Sequence, residues 1–141
     1  MRILGLDVGT KNVGLALSDP LGFTAQALPT IRRKGKLEQE LAVISTLIDD
    51  KGVETVVVGY PKNMNGTEGP SCDMAKEYAA ALAEKIAVPI VFWDERLTSK
   101  MAESAMVMGD VRREKRRQAV DSLAAILILQ SYLDYLANNK K

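Results

Sequence analysis

The chain has 141 residues, of which 47% are hydrophobic and 26% charged, and its net charge is +1. This composition is typical of a globular protein, and the length fits a single domain spanning residues 1–141. The absence of histidine excludes histidine-based zinc sites, serine–histidine triads and histidine general bases. Because the net charge is small, attraction to nucleic acid must come from local clusters of basic residues.

Cysteine usage and the apolar segments bear on the cellular location. Cys72 has no partner for an internal disulfide, which fits a reducing compartment, and we interpret it as a small loop or core residue. The N-terminal apolar run is broken by Asp7, unlike a signal peptide, and the longest apolar run, residues 123–129, is too short to cross a bilayer. We therefore expect a cytoplasmic protein that does not contact membranes.

The first half of the chain predicts three strands and one helix. Residues 3–8 are typical of a buried strand, and a tight turn joins them to a second strand at 13–17. A third strand is predicted at about 26–32. Apolar residues then recur at helical spacing between 37 and 48, and Gly52 is a typical helix stop.

The second half predicts alternating strands and helices. Residues 55–58 are a β-branched run that favours a buried strand, and the polar loop 60–70 follows it. The next helix has an apolar stripe formed by Met74, Tyr78, Leu82 and Ile86.

Three more elements complete the predicted order. A strand at residues 90–93 precedes a short helix that begins at Thr98 or Ser99 and ends at Gly109. A final helix is predicted from about Gln118 to Ala137. The order β-β-β-α-β-α-β-α-α predicts an α/β fold: a mixed five-stranded sheet, with three antiparallel strands followed by parallel strands, and helices on both faces.

Three carboxylates occupy positions where a ligand could bind. Asp7 ends the first strand, Glu95 ends the last strand, and Asp121 shares the apolar face of the final helix with Ala125 and Ile128. If the fold brings them together, they provide the oxygen ligands that hard divalent cations such as Mg²⁺ prefer. Paired cations of this kind support phosphodiester cleavage without histidine.

Each acid also has a simpler explanation when it is taken alone. Asp7 could cap the turn that follows it by accepting a backbone hydrogen bond. Glu95 could form an exposed pair with Arg96, which contributes little free energy. Asp121 could favour the helix start through the helix dipole. The combination of the three acids therefore carries the hypothesis of a metal site.

Five segments of the chain resemble the YqgF/RuvX family, the Holliday-junction resolvase-like branch of the ribonuclease H superfamily. They are GLDVGTKNVG at residues 5–14, VGYP at 58–61, NGTEG at 65–69, DERLTS at 94–99 and VDSLAA at 120–125. They span nearly the whole chain. Any one segment is moderately specific, and the set together is strong.

The resemblance implies a ribonuclease H-like fold and a nuclease that depends on Mg²⁺ or Mn²⁺. It implies a role in maturing the 5′ end of the 16S ribosomal RNA precursor, whereas some members look like four-way DNA junction resolvases. Carried over by position, Asp7, Glu95 and Asp121 match the acidic residues of the family, as catalytic residues and metal ligands.

The chain departs from RuvC-type enzymes of the wider superfamily in two places. Those enzymes place a glutamate at the end of the fourth strand, where this chain has the acid-free segment 58–61. The glutamate must then come from the next strand, as Glu95, with Asp94 as the alternative. RuvC-type enzymes also place two acids on the last helix, where this chain has Asp121 flanked by Ser122 and alanines.

Basic and polar residues near these acids are candidates for nucleic-acid contacts. A basic segment precedes the Asp121 helix, and we interpret it as a clamp that orders on nucleic acid, although a solvated charge run is the alternative. The candidate contacts are Thr10, Lys11, Lys62, Arg96, Arg112, Arg113, Lys115, Arg116 and Arg117. A second basic cluster at 32–36 is interpreted as a solvated connection. Tyr60 is the best stacking candidate, and Trp93 is assigned to the core.

Alternative functions remain open at the level of the sequence. The substrate could be precursor ribosomal RNA or branched DNA, and the protein could be a monomer or a weak homodimer. The fold could also serve a non-catalytic nucleic-acid-binding regulator. The sequence DVGTK at 7–11 resembles the first phosphate loop of sugar kinases and actin-like ATPases, but those proteins bind nucleotide between two related domains.

Overall fold

The structure is a computed structural model that describes residues 2–62, 65–95 and 113–138, with side chains in the last range described from residue 123. Five strands and three helices lie within these ranges. In chain order they are β1 (Arg2–Val8), β2 (Asn12–Ser18), β3 (Ala25–Arg32), α1 (Leu37–Lys51), β4 (Val53–Tyr60), α2 (Pro70–Ala83), β5 (Ile90–Asp94) and α3 (Arg113–Asn138).

The strands form one mixed sheet in the order β3-β2-β1-β4-β5. Neighbours among β1, β2 and β3 are antiparallel, whereas β4 pairs in parallel with β1 and β5 pairs in parallel with β4. This confirms the predicted sheet. Strands β1, β3, β4 and β5 run in the same direction, so their last residues lie along one edge of the sheet, which we call the carboxyl edge.

Helices cover both faces of the sheet, as the sequence predicts. Leu4, Leu6 and Val8 of β1 belong to a buried cluster that includes residues of α1 and α2. Ile3 belongs to a second cluster, formed with residues of α3. Because side chains alternate along a strand, Asp7 at the end of β1 lies on the α3 face.

Helix α3 packs closely against β1 because β1 has a glycine at the contact. A Cβ atom on Gly5 would lie 2.9 Å from Leu129 Cβ and 3.2 Å from the carbonyl oxygen of Ala125. Ala125 is itself fully buried, which confirms that this small residue lets the helix approach the sheet. The glycine and the alanine together fix the height of α3 above the sheet.

Two predicted helix boundaries are wrong. Helix α3 begins at Arg113 rather than at about Gln118, so the basic residues 113–117 are helical and not a polar segment before the helix. The reason is that arginine, lysine, glutamate and glutamine are good helix formers, and no glycine or proline interrupts them. Helix α2 ends at Ala83, before Ile86. The short helix predicted up to Gly109 lies outside the described residues.

The predictions for Gly52 and Cys72 agree with the structure. Helix α1 ends at Gly52, which adopts a left-handed conformation with φ of 66° and donates its N–H to the carbonyl of Ile48. Cys72 is a buried residue of α2. In the described part of the chain, no helix combines the length and apolarity needed to cross a bilayer.

Candidate active site

The carboxyl groups of Asp7 and Glu95 meet at the carboxyl edge. Asp7 is the penultimate residue of β1, and Glu95 directly follows β5, two strands away. The Glu95 carboxyl group reaches across the end of β4 and forms a hydrogen bond with the Asp7 carboxyl group. Asp94 pairs in register with Tyr60, so it points to the opposite face of the sheet. The geometry therefore favours Glu95 over Asp94 as the partner of Asp7.

Gly59 of β4 provides the space that Glu95 occupies. A Cβ atom on Gly59 would lie 3.1 Å from both Cδ and Oε1 of Glu95, and 2.5 Å from Cδ1 of Ile128. Any larger residue would displace the carboxyl group, the helix or both. Gly59 therefore belongs to the site although it carries no chemical group, and a glycine inside a β-branched strand was the signal for it.

Burial and like charge perturb both acids. Burial raises the pKa of Asp7, and the hydrogen bond from Glu95 partly offsets this. Burial raises the pKa of Glu95 to about 7, with further contributions from the charge of Asp7, from the hydrogen bond to Asp7 and from the charge of Asp94. Near neutral pH the pair therefore tends to share a proton. Two adjacent, partly buried carboxylates are a donor set that fits a divalent cation, whose charge would allow both to ionise.

A third ligand would have to come from beyond the described side chains. Among the side chains that the structure describes, no three acids or cysteines are grouped so that they could hold a metal ion. Asp121 lies on α3, and its side chain is outside the described part. Of the predicted triad, the structure therefore shows the Asp7–Glu95 pair and the position of the Asp121 backbone on α3.

The direction of α3 places the backbone of Asp121 near the carboxyl edge. Leu133 lies beside Ile3 at the start of β1, and Ala125 lies against Gly5, so the helix runs antiparallel to β1. Asp121 is one turn before Ala125, a shift of about 6 Å along the helix. Asp7 is two residues beyond Gly5, a shift of about 6.6 Å along the strand. The two positions are therefore at a similar level.

The turn between β1 and β2 carries two of the predicted phosphate contacts, Thr10 and Lys11, and both are exposed. Its shape is fixed by a hydrogen bond of 2.9 Å from Gly9 N to the carbonyl of Asn12. Arg33 adds two anchors: its backbone N–H donates to the Lys11 carbonyl at 2.8 Å, and its Nη1 donates to the Gly9 carbonyl at 3.0 Å. The two exposed side chains therefore lie on a turn that three hydrogen bonds hold in place.

Arg33 is itself held by a buried acid. Its Nε lies 3.1 Å from Oε1 of Glu40, whose side chain is only 4% exposed. The Tyr78 hydroxyl donates to the same Glu40 oxygen at 3.1 Å. Burial and the Glu40 charge raise the pKa of Tyr78 well above its ordinary value, so the hydroxyl remains a donor. Nothing in the sequence predicted this network, because Tyr78 is 38 residues from Glu40 and the pairing of Arg33 with Glu40 depends on how β3 packs beside α1.

Removing Arg33 is expected to be more destabilising than removing the Tyr78 hydroxyl. Arg33→Met leaves the Glu40 carboxylate buried without its cation, at an expected cost of about 3 kcal/mol. Tyr78→Phe removes one hydrogen bond and should cost about 1 kcal/mol. Urea unfolding of both variants measures the difference. Equal effects would show that the network does not depend on the charge pair.

The end of β4 differs from the sequence expectation. Tyr60, the predicted stacking residue, is only 7% exposed, and its hydroxyl donates to Glu68, so this prediction is wrong. Tyr60 is buried because it faces the α1–α2 side of the sheet, where Phe92 packs on it with ring centroids 5.2 Å apart. Phe92 is 42% exposed and is the aromatic ring available there. Trp93 packs with the α3 cluster, as predicted.

Two lysines flank the Tyr60 ring. Lys62, a predicted nucleic-acid contact, lies 5.9 Å from the ring centroid, and Lys76 lies 5.6 Å from it. Lys76 also forms an exposed ion pair of 3.3 Å with Glu68. The sequence did not mark Lys76, because it occupies an ordinary exposed position on α2.

The other predicted contacts lie at or beyond the limits of the described residues. Arg96 and Arg112 fall outside them. Four further basic residues lie in the first turns of α3, with side chains outside the described part: Arg113, Lys115, Arg116 and Arg117. The clamp interpretation of this basic segment therefore stays a prediction.

Comparison with known proteins identifies relatives over nearly the full length. Residues 1–135 match the RuvX family, described as Holliday junction resolvase. A protein of Agathobacter rectalis named "Putative pre-16S rRNA nuclease" is 50% identical over 142 residues, covering 99% of both chains. A protein of the same name from Geobacillus kaustophilus is 50% identical over 137 residues, covering 95% of this chain and 98% of its own.

Solved structures agree on the fold. RuvC of Thermus thermophilus in complex with a Holliday junction substrate superposes with a TM-score of 0.69 at 14% identity, covering 99% of this chain and 96% of that one. A second T. thermophilus RuvC structure gives a TM-score of 0.63 at 15% identity, covering 99% and 97%. The ribonuclease H-like fold expected from the sequence is confirmed. The chain belongs to the RuvX family, and it is a nuclease of the ribonuclease H-like fold.

Proposed function

We propose that this nuclease matures the 5′ end of precursor 16S ribosomal RNA, using Mg²⁺ or Mn²⁺ held by Asp7, Glu95 and Asp121. The observation that carries the proposal is the hydrogen-bonded pair of Asp7 and Glu95 at the carboxyl edge. The choice of RNA is supported by the names of relatives that are 50% identical over nearly the whole chain.

The residues divide the work between holding the cation and holding the substrate. When bound, a divalent cation would lower the pKa of a water molecule and stabilise the leaving oxygen of the phosphodiester. Asp7, in β1, and Glu95, directly after β5, would supply its negative oxygen ligands from the same edge of one sheet. Thr10 and Lys11 orient a phosphate from the turn that Arg33 anchors. No side chain is required as a general base.

A DNA junction is the second candidate substrate, because the matching family is described as Holliday junction resolvase. Resolution of a junction requires paired cuts, which favours a homodimer, whereas trimming of an RNA end requires a single copy. We infer a monomer or weak homodimer that consists of one domain and acts in the cytoplasm, where precursor ribosomal RNA is made. A non-catalytic regulator of the same fold is the remaining alternative.

Side-by-side cleavage tests these candidates. Purified protein with Mg²⁺ or Mn²⁺ is incubated with a precursor 16S RNA fragment and with a four-way DNA junction, and Asp7→Asn serves as the control. We expect cleavage of the RNA at its 5′ end and none by the variant. Cleavage of the junction alone would assign the second function. Binding of either substrate without metal-dependent cleavage would assign the regulator.

Metal binding is expected to depend on pH. The pKa of Glu95 is about 7 without metal, so at low pH the side chain is protonated and binds the cation poorly. As pH rises, Glu95 ionises and becomes available as a ligand. The increase in melting temperature caused by Mn²⁺ should therefore be larger at pH 8 than at pH 6, and Asp7→Asn should abolish it. Differential scanning fluorimetry with an EDTA reference measures this. A shift of the same size in Asp7→Asn would place the cation elsewhere.

A further inference from the structure

A basic groove lies at the carboxyl edge, on the β3 side of Asp7. It has a volume of about 280 Å³ and lies between the end of β3 and the first turns of α1, with Arg32, Lys34 and Lys36 among its lining residues. All three side chains are exposed. Gly35, with φ of 74°, lets the chain turn between the two lysines, so that both line the same groove.

The positive charge of this groove is not offset by its neighbours. Glu40 also lines it, but its carboxylate is paired with Arg33 at 3.1 Å. Glu38, on the adjacent helical turn, pairs with Lys85 at 3.1 Å. Within the described residues, no ion pair includes Arg32, Lys34 or Lys36. In a chain of net charge +1, three cations that form no ion pair with the described side chains are a local attraction for phosphate.

The groove also lies at a suitable distance from the acids. Arg32 pairs in register with Asn12 of β2, and Asp7 pairs with Gly14, so both Arg32 and Asp7 lie at the same end of the sheet. Strand β3 is two strands from β1, a distance of about 10 Å. The groove opens on the α1 side of the sheet, whereas Asp7 lies on the α3 side. A nucleic-acid strand that contacts both would therefore pass around the β1–β2 turn at the carboxyl edge and span more than this distance.

We propose that this groove binds the sugar–phosphate backbone of the substrate several nucleotides from the cleaved bond, with Lys34 and Lys36 contacting phosphates. The inference rests on the proposed function, because it assumes a nucleic-acid substrate at Asp7. It replaces the interpretation of residues 32–36 as a solvated connection. The groove provides affinity and register, and the acids provide the chemistry.

The salt dependence of binding tests the proposal. The double variant Lys34→Ala/Lys36→Ala is made in the Asp7→Asn background, so that binding of the precursor RNA fragment and of the four-way DNA junction is measured without cleavage. The slope of log affinity against log salt is negative, and each lost phosphate contact reduces its magnitude by about 0.7 to 0.9. For the substrate that binds, we expect the magnitude of the slope to be smaller by about 1.5 in the double variant than in its Asp7→Asn parent. The matched control is Lys51→Ala, at the opposite end of α1.

Stepwise shortening of the substrate locates the contact. The difference between the double variant and its parent should disappear once the substrate is too short on one side of the cleavage site to reach the groove, and persist when the other side is shortened. An unchanged salt slope in the double variant, or an equal reduction of the slope in Lys51→Ala, would overturn the proposal that the groove binds phosphates. Because binding is measured without cleavage, a groove effect in a protein that cleaves nothing would sink only the proposed function. If neither substrate binds, both proposals fail.

Discussion

Glu95→Gln is expected to lower phosphodiester cleavage at least about a hundredfold, a loss of about 2.7 kcal/mol of transition-state stabilisation. The amide keeps the size of the side chain and its hydrogen bond to Asp7 but removes the negative ligand that a divalent cation requires. Single-turnover cleavage at saturating protein measures the rate. Asp94→Asn is the matched control, because Asp94 points away from Asp7, and it should retain most activity.

The same substitution is expected to stabilise the metal-free protein. The pKa of Glu95 is raised above its unfolded value, so its ionisation destabilises the folded state as pH rises from about 4.5 towards 7. In EDTA at pH 8, Glu95→Gln should therefore unfold with a free energy about 1 to 2 kcal/mol higher than the parent, after allowance for partial exposure. At pH 4 Glu95 is mainly protonated in both the folded and the unfolded protein, so the stability difference between variant and parent should vanish.

Two results would contradict this account. If Glu95→Gln retains full activity, Glu95 does not bind the catalytic cation. If the metal-free variant is less stable than the parent at pH 8, the pair of acids is not a source of repulsion in the fold.

Gly59→Ala is expected to lower cleavage about 10- to 100-fold, because the new methyl group would lie 3.1 Å from the Glu95 carboxyl carbon and displace it from Asp7. It should also destabilise the fold by about 1 to 3 kcal/mol, because the methyl group would lie 2.5 Å from Ile128 Cδ1. Cleavage assays and urea unfolding measure the two effects separately.

A second substitution separates the two effects. Ile128→Val removes the Cδ1 atom, so Gly59→Ala/Ile128→Val should recover part of the lost stability. It should not recover cleavage, because the contact with Glu95 remains. Recovery of both would mean that Gly59 acts only through the packing of α3.

The elements with a clear sequence period could be predicted. The order of elements along the chain, the mixed sheet, the helices on both faces and the positions of Asp7 and Glu95 at strand ends follow from apolar patterns and short connections. The meeting of Asp7 with Glu95 also follows, because parallel strands end at the same edge. These features depend on local periodicity and topology, which the sequence carries.

Features that depend on side-chain contacts between distant residues could not be predicted. The Arg33–Glu40–Tyr78 network joins the end of β3 to two helices, and each member alone is unremarkable in the sequence. The prediction of Tyr60 as a stacking residue was wrong because alternation along β4 turns its side chain towards the core. The predicted start of α3 was wrong because a run of charged residues fits a helix and a solvated segment equally well.

The contact between Asp7 and Glu95 joins strands that are not neighbours. Strand β5 is the edge strand on its side and hydrogen-bonds only to β4 within the described sheet, so its end is otherwise held by one ladder. Whether a proton or a cation joins the two carboxyl groups, the link connects the end of β5 to β1 across β4 and restrains fraying of β5. Occupancy of the site and local opening of β5 are then thermodynamically linked: a ligand that binds the closed pair slows hydrogen exchange along β5.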